Sequence, residues 1–286
     1  MQAEFNEKAY ENYFNDELNR YASFYYPIGQ VEEGKLGFDC YAYIDEYKEL
    51  WSILNKPFSD GVEFRKIANK MEENISNMVN DFRYELKLNL LFQYKRPEYL
   101  ISNKYKEWKN WRKPCFRYII QHKQQHLLMK INKYFGDNVL IIYAAPAFYT
   151  NKELFIAKNE EQIIFLSNFC EASTLDGHAK NTYVKEGTHS IACSKPKTIA
   201  NFDLKNAIDS KSYTEITMDD KLRKKNKDFI IKFGKGFFSV IKENRYFSQL
   251  STHLLQYQYL AKYELLYSHI VLNEIRKSTG LQWLII

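Results

Sequence analysis

The chain has 286 residues, of which 45% are apolar, 27% charged and 16% aromatic, and its formal charge is +6. That balance excludes a wholly disordered chain, and 10 Gly and 6 Pro against 23 Tyr and 20 Phe exclude a loop-rich scaffold, favouring long elements around a filled core. The best apolar run, residues 139–148, falls well short of the ~20 residues that cross a bilayer, so no membrane partner is expected.

In chain order, Asn6 followed by Glu7 has the form of a helix start, a capping side chain and then an acid near the positive end of the helix dipole. Tyr10, Tyr13, Phe14, Leu18 and Tyr21 continue it at helical spacing. Pro27 and Gly29 break the pattern, and residues 30–33 and 37–44 read as two short strands of a hairpin around Gly34. Residues 46–85 are helical by period and read as an insertion. Residues 86–95 are expected to form a strand, followed by a basic loop to Pro114. A helix is expected over 116–135, with Phe116, Ile119, Ile120, Leu127, Leu128 and Ile131 inward, then a turn at Gly136 and a buried strand over 139–148 ending at Pro146. Two extended pieces are expected near 163–169 and 189–193. From Met218 onward the pattern is helical. This divides the chain into a core over 1–150, a sheet extension over 151–205 and a helical C-terminal subdomain over 206–286.

Cys40, Cys115, Cys170 and Cys193 are far apart and form no CxxC pair, so reduced thiols and a cytoplasmic protein are expected. The first eleven residues are polar and acidic and are not expected to act as a secretory leader.

Charge is uneven along the chain. Residues 1–85 carry 9 Lys/Arg against 17 Asp/Glu, whereas residues 86–133 carry 12 against 2. The basic stretch holds Arg96, Lys104, Lys106, Lys109, Arg112, Lys113 and Arg117, interleaved with Tyr99, Tyr105, Trp108 and Trp111. Cations that displace counterions from phosphates, alternating with aromatic faces on which bases stack, are the composition of a nucleic-acid contact. The same run also reads as a solvated face with no specific role.

Chemistry enters through strand periodicity. Residues i and i+2 of a strand share a face, so Gln93 and Lys95 in FQYK point the same way. In GFDCYAYI, Asp39 and Tyr41 face opposite to Phe38 and Cys40. If these strands are neighbours, Asp39, Gln93 and Lys95 meet at one rim of a sheet. A carboxylate and an amide oxygen are hard ligands for Mg²⁺ or Mn²⁺, and an adjacent ammonium can orient water and stabilise charge on phosphorus.

On these residues the chain resembles the PD-(D/E)XK nuclease superfamily, and within it the Mrr-like restriction nucleases, in which Gln replaces the acid of the second motif. The motifs are GFD with Asp39, FQYK with Gln93 and Lys95, and the helix after NEKAYE with Glu7. The resemblance implies an α/β fold with a restriction-endonuclease-like αβββαβ core, here with a helical insertion and a helical C-terminal subdomain. It implies a Mg²⁺- or Mn²⁺-dependent endonuclease with Asp39, Gln93, Lys95 and Glu7 as catalytic residues. Asp39, Gln93 and Glu7 would be the metal ligands, with Glu11 the substitute for Glu7. A polar residue among Gln121, Gln125 and His126 would line the site. The implied substrate is DNA before RNA, in defence against foreign DNA, with a regulatory protein or a second copy of the chain engaging the C-terminal helices. The alternative reading is a catalytically inactive nuclease-like module that binds nucleic acid or serves as a subunit. His122 and His126, four apart, have a zinc-compatible spacing but read more simply as helix-surface histidines.

Overall fold

The computed structural model describes residues 1–21, 64–82, 84–209 and 219–285. In chain order its principal elements begin with helices α1 (Glu7–Tyr21) and α2 (Phe64–Asn80) and strands β1 (Asn89–Tyr94) and β2 (Glu98–Leu100). They continue with α3 (Trp108–Trp111), β3 (Cys115–Ile119), α4 (His122–Phe135), β4 (Val139–Pro146), α5 (Asn151–Asn159) and β5 (Ser167–Glu171). Then come β6 (Lys180–Tyr183), β7 (Ser190–Ala192), β8 (Lys197–Ile199) and α6 (Leu204–Asp209). The chain closes with α7 (Asp220–Lys242), α8 (Ser248–Leu255), α9 (Glu264–Thr279) and β9 (Leu281–Ile285). The fold is mixed α/β and falls into two units. The first is built from described residues 1–21, 88–209 and 279–285, and the second from 64–82, 84–87 and 219–278.

The first unit contains two sheets. The four-stranded sheet has the order β5-β4-β1-β9, and the five-stranded sheet has the order β2-β3-β6-β7-β8. β1 and β4 run parallel, with Gln93 opposite Tyr143, and α4 lies between them in sequence, as a parallel pair needs a long crossover. β1 alternates as expected. Leu90, Phe92 and Tyr94 belong to the core cluster shared with Tyr10, Phe14 and Leu18 of α1. Phe14, with no exposed surface, meets the rings of Tyr10, Phe92, Tyr94 and Phe169 at centroid distances of 5.3–6.0 Å. Burying one such ring stabilises the fold by about 2–3 kcal/mol. The start of α1 is fixed by Asn6, whose Oδ1 accepts the Ala9 N–H at 2.7 Å. That is the cap read from the sequence.

Three expected elements differ. Residues 115–119 form a strand, and the helix begins only at His122. In this segment Phe116, Tyr118 and Ile120 are buried while Ile119 is exposed, an alternation of period two that pairs β3 with β2 and β6. The stretch before Pro114 holds β2 and α3 rather than a continuous loop. The C-terminal segment is not helical to its end: after Gly280 the apolar run Leu281–Ile285 forms β9 and pairs antiparallel with β1.

In the second unit, α7 and α9 cross at Gly234, where a Cβ would lie 2.4 Å from Ser268 Cβ and 2.7 Å from its Cα. Only glycine permits that approach. Glu72 of α2 accepts the N–H groups of Leu265 (3.2 Å) and Leu266 (2.7 Å), satisfying donors at the start of α9 that have no intrahelical partner. Among the described residues no helix is long and apolar enough to cross a membrane.

Candidate active site

β1 stops where Arg96 precedes Pro97, a residue with no N–H to give the ladder. The last ladder bond is made by Lys95, whose N–H donates to Ala144 O at 2.9 Å. Lys95 therefore leaves the strand on the face it shares with Gln93, and both side chains are buried, 6% and 2% exposed. An ammonium so placed loses most of its hydration, and the neighbouring groups must replace it.

They do so from three elements. From α4, Gln124 Oε1 accepts a hydrogen bond from Lys95 Nζ at 2.7 Å. From β4, the Tyr143 ring lies 5.4 Å from the ammonium, within cation–π range. From α1, Glu7 supplies the opposite charge. Burial pulls the Lys95 ammonium down to about 8, and Glu7 opposes that shift. Burial likewise pushes the Glu7 carboxyl above the usual carboxylate range, against the pull of Lys95 and of the Arg96 N–H that donates to its Oε2 at 3.1 Å. In both groups desolvation outweighs the attraction between them.

Gln93 is tied into the same network. Its Oε1 accepts a hydrogen bond from Gln124 Nε2, and its own Nε2 donates to Tyr94 O at 3.3 Å. Gln124 Nε2 also donates to Thr279 O at 3.2 Å. Glu7, Gln93 and Lys95 thus gather around the end of β1. Glu11 instead pairs with Lys8 at 2.8 Å.

Asp39, the remaining expected acid, lies outside the described residues, as does the hairpin expected to carry it. β1 has β4 on one edge and β9 on the other, and β9 covers it from Asn89 to Gln93.

The polar residue of α4 that joins this network is Gln124. Gln121 is the exposed N-cap residue. Gln125 is buried, accepting from Tyr143 OH at 2.8 Å and donating to Ala172 O at 2.8 Å. The rings of His122 and His126 lie 6.5 Å apart. Among the described residues no group of three or more His, Cys, Asp or Glu is placed to hold a metal ion.

The expected nucleic-acid contacts divide in two. Lys104, Lys106, Lys109, Arg112 and Lys113 are exposed, on and around α3. That short helix is anchored by Trp111, whose indole N–H donates to Thr182 Oγ1 at 3.0 Å and whose ring lies 5.1 Å from His189. Arg96 and Arg117 are committed elsewhere. The Arg96 guanidinium donates to Ala3 O. Arg117 is ion-paired to Glu98 and, at 3.1 Å, to Glu107, which also binds Lys180 at 2.9 Å. With its side chain 13% exposed, Arg117 serves the fold of the five-stranded sheet rather than a phosphate.

No family model, curated protein or solved structure significantly matches this chain.

Proposed function

We propose that the chain is a metal-dependent nuclease whose working site is the cluster of Glu7, Gln93 and Lys95, on a restriction-endonuclease-like core. The observation that carries this reading is the buried Lys95 ammonium at the end of β1, hydrogen-bonded to an amide oxygen and influenced by the Glu7 carboxylate. A fold gains little from burying opposite charges of this kind, and strongly perturbed titratable groups concentrate at working sites. The parallel β1–α4–β4 unit supports it too, since the αβββαβ core that the resemblance implies contains a strand–helix–strand crossover.

Within that reading, Lys95 stabilises the charge that develops on phosphorus and orients the attacking water, and Gln124 keeps the ammonium aimed. Glu7, with one carboxylate oxygen already on the Arg96 N–H, holds Lys95 charged and has a second oxygen for a cation. Hard oxygen donors suit Mg²⁺ or Mn²⁺. The described residues supply two of them, Glu7 and Gln93, and Asp39 is the proposed third. A bound ion would polarise the scissile phosphate and acidify a water molecule. The exposed cations of residues 104–113 would follow the nucleic-acid backbone, DNA before RNA by resemblance. Defence against foreign DNA, with a protein partner or a second copy engaging the C-terminal helices, is the role the same resemblance suggests.

One observation favours a second reading, a nucleic-acid-binding module without catalysis: the Gln93 oxygen already accepts the Gln124 amide. Plasmid incubated with Mg²⁺ or Mn²⁺, with and without chelator, separates the two. Metal-dependent nicking by the wild type that is lost in Asp39→Ala and Lys95→Ala, with DNA binding retained, supports the nuclease. Binding without nicking supports the module.

A further inference from the structure

We infer that the Thr279–Gly280 junction, where α9 passes into β9, is a positioning element of the Glu7–Gln93–Lys95 site, because its backbone carbonyl fixes which way the Gln124 amide faces. The inference takes that site as the working one, as proposed above, and concerns how it is held in register.

The geometry contains an ambiguity that the junction, together with Lys95, resolves. Gln124 and Gln93 are both side-chain amides, and an amide can present its oxygen or its nitrogen to the same neighbour. If both rotate together, the hydrogen bond between them survives with donor and acceptor exchanged. Gln124 would then turn its NH₂ towards the Lys95 ammonium, donor against donor. Two groups around Gln124 cannot exchange roles. The Lys95 ammonium only donates, and the Thr279 carbonyl only accepts. With Thr279 O on Nε2 at 3.2 Å and Lys95 Nζ on Oε1 at 2.7 Å, the Gln124 amide has one orientation that satisfies every partner.

Thr279 can play this part because of its place in the chain. It is the last residue of α9, so its carbonyl has no intrahelical N–H to receive. Gly280 follows at φ +69°, in the left-handed region that glycine enters without strain and that ends helices. That conformation turns the chain into β9, whose Leu281 pairs with Gln93 itself. The junction is thus tied to the site twice, through the ladder and through Gln124. Helix α9, up to Ser278, belongs to the second unit.

The test uses three forms of the full chain, labelled with ¹⁵N at glutamine: wild type, Gly280→Ala and Gly280→Asn. A Cβ at position 280 meets only Gln93 Nε2, at an ordinary 3.9 Å, so Ala acts through backbone strain and not through a clash. Asn tolerates the left-handed region and serves as the conservative variant. Hydrogen exchange of the Gln124 side-chain amide, assigned by its absence in Gln124→Leu, is the primary readout. In the wild type it should exchange more slowly than the exposed Gln162 amide. It should exchange about tenfold faster in Gly280→Ala, and Gly280→Asn should restore the wild-type rate. Where cleavage is measurable, Gly280→Ala should lower kcat by about tenfold with KM little changed. Wild-type exchange at Gln124 as fast as at Gln162, or unchanged exchange in Gly280→Ala, overturns the inference. The exchange readout needs no cleavage, so a wild type that does not cut defeats the nuclease reading and leaves this inference to be decided by exchange alone. If Gly280→Ala does not fold, the wild-type comparison with Gln162 decides.

Discussion

Gln124 Oε1 receives the Lys95 ammonium at 2.7 Å while the nitrogen of the same amide donates to Gln93. One helix residue thereby ties together the two polar residues that β1 sends to a single face. Such an arrangement comes at the expense of stability, because the ammonium it holds is 6% exposed. Lowering Lys95 from the ordinary lysine value to about 8 corresponds to about 3 kcal/mol of unfavourable desolvation when the group is charged. Lys95→Met keeps the apolar stem and removes the charge. It should abolish cleavage, and because it leaves the buried Glu7 carboxyl and Gln124 Oε1 without the ammonium it should cost about 1–3 kcal/mol of stability at pH 7, read by denaturant unfolding. Cleavage retained by this variant would remove Lys95 from the proposed site.

The exposed and internal cations of the basic tract should behave differently. Replacing Lys104, Lys106, Lys109, Arg112 and Lys113 by Gln should leave the unfolding midpoint unchanged and weaken DNA binding. It should also flatten the slope of log affinity against log salt, by about 0.9 for each phosphate that is no longer neutralised. Arg117→Ala instead takes the cation from the half-buried Glu98 and leaves the buried Glu107 with Lys180 alone, and should cost about 1–3 kcal/mol of stability. Salt-titrated binding and unfolding curves on both variants separate the roles.

In the helical unit, burial pulls the imidazole of His269 down to about 4, and the charge of Arg276 adds to the effect. Between pH 6.5 and about 4 the unfolded chain takes up a proton at this residue and the folded chain does not. Stability therefore falls as pH falls through that window, by as much as about 3 kcal/mol from this residue. His269→Gln should flatten the unfolding free energy over the same range. A wild-type profile with no slope there would contradict the assignment.

The close crossing at Gly234 leaves no room for a side chain, because the nearest neighbours include the Ser268 Cα at 2.7 Å as well as its flexible hydroxyl. Gly234→Ala must push α7 and α9 apart and should destabilise the second unit by about 1–3 kcal/mol, measured by thermal or denaturant unfolding. Lys235→Ala, on the exposed side of the same helix turn, should change stability by less than about 0.5 kcal/mol.

The legible parts of this fold were those where one periodicity ran without competition. The Asn6 cap and the Tyr10, Phe14 and Leu18 stripe specified α1, and the alternation of Leu90, Phe92 and Tyr94 against Gln93 and Lys95 specified β1 and the direction of the site. The segment Phe116–Ile120 misled because Phe116, Ile119 and Ile120 also satisfy helical spacing, and only pairing with β2 and β6 decides for a strand. That error moved the helix start by six residues. It left the inward face of the helix, with Leu127, Leu128 and Ile131 buried, as expected. β9 was hidden for a different reason: a mostly apolar run of five residues after a glycine, Gln282 among them, suits a helix end as well as a strand, and the edge of β1 that decides the choice is far away in sequence. The commitments of Arg96 and Arg117 were likewise invisible, since Ala3, Glu98 and Glu107 mark themselves as their partners only once the sheets form.

The most direct measurement is single-turnover cleavage of end-labelled duplex DNA with Mg²⁺, comparing the wild type with Glu7→Gln while binding is followed in parallel. Gln keeps the shape of Glu7 and its acceptor for the Arg96 N–H but removes the charge that faces Lys95. Cleavage slowed by about a hundredfold or more with binding intact is the predicted result. Cleavage by Glu7→Gln at the wild-type rate, or no cleavage by the wild type with Mg²⁺ or Mn²⁺, would contradict the assignment of this cluster as a nuclease site.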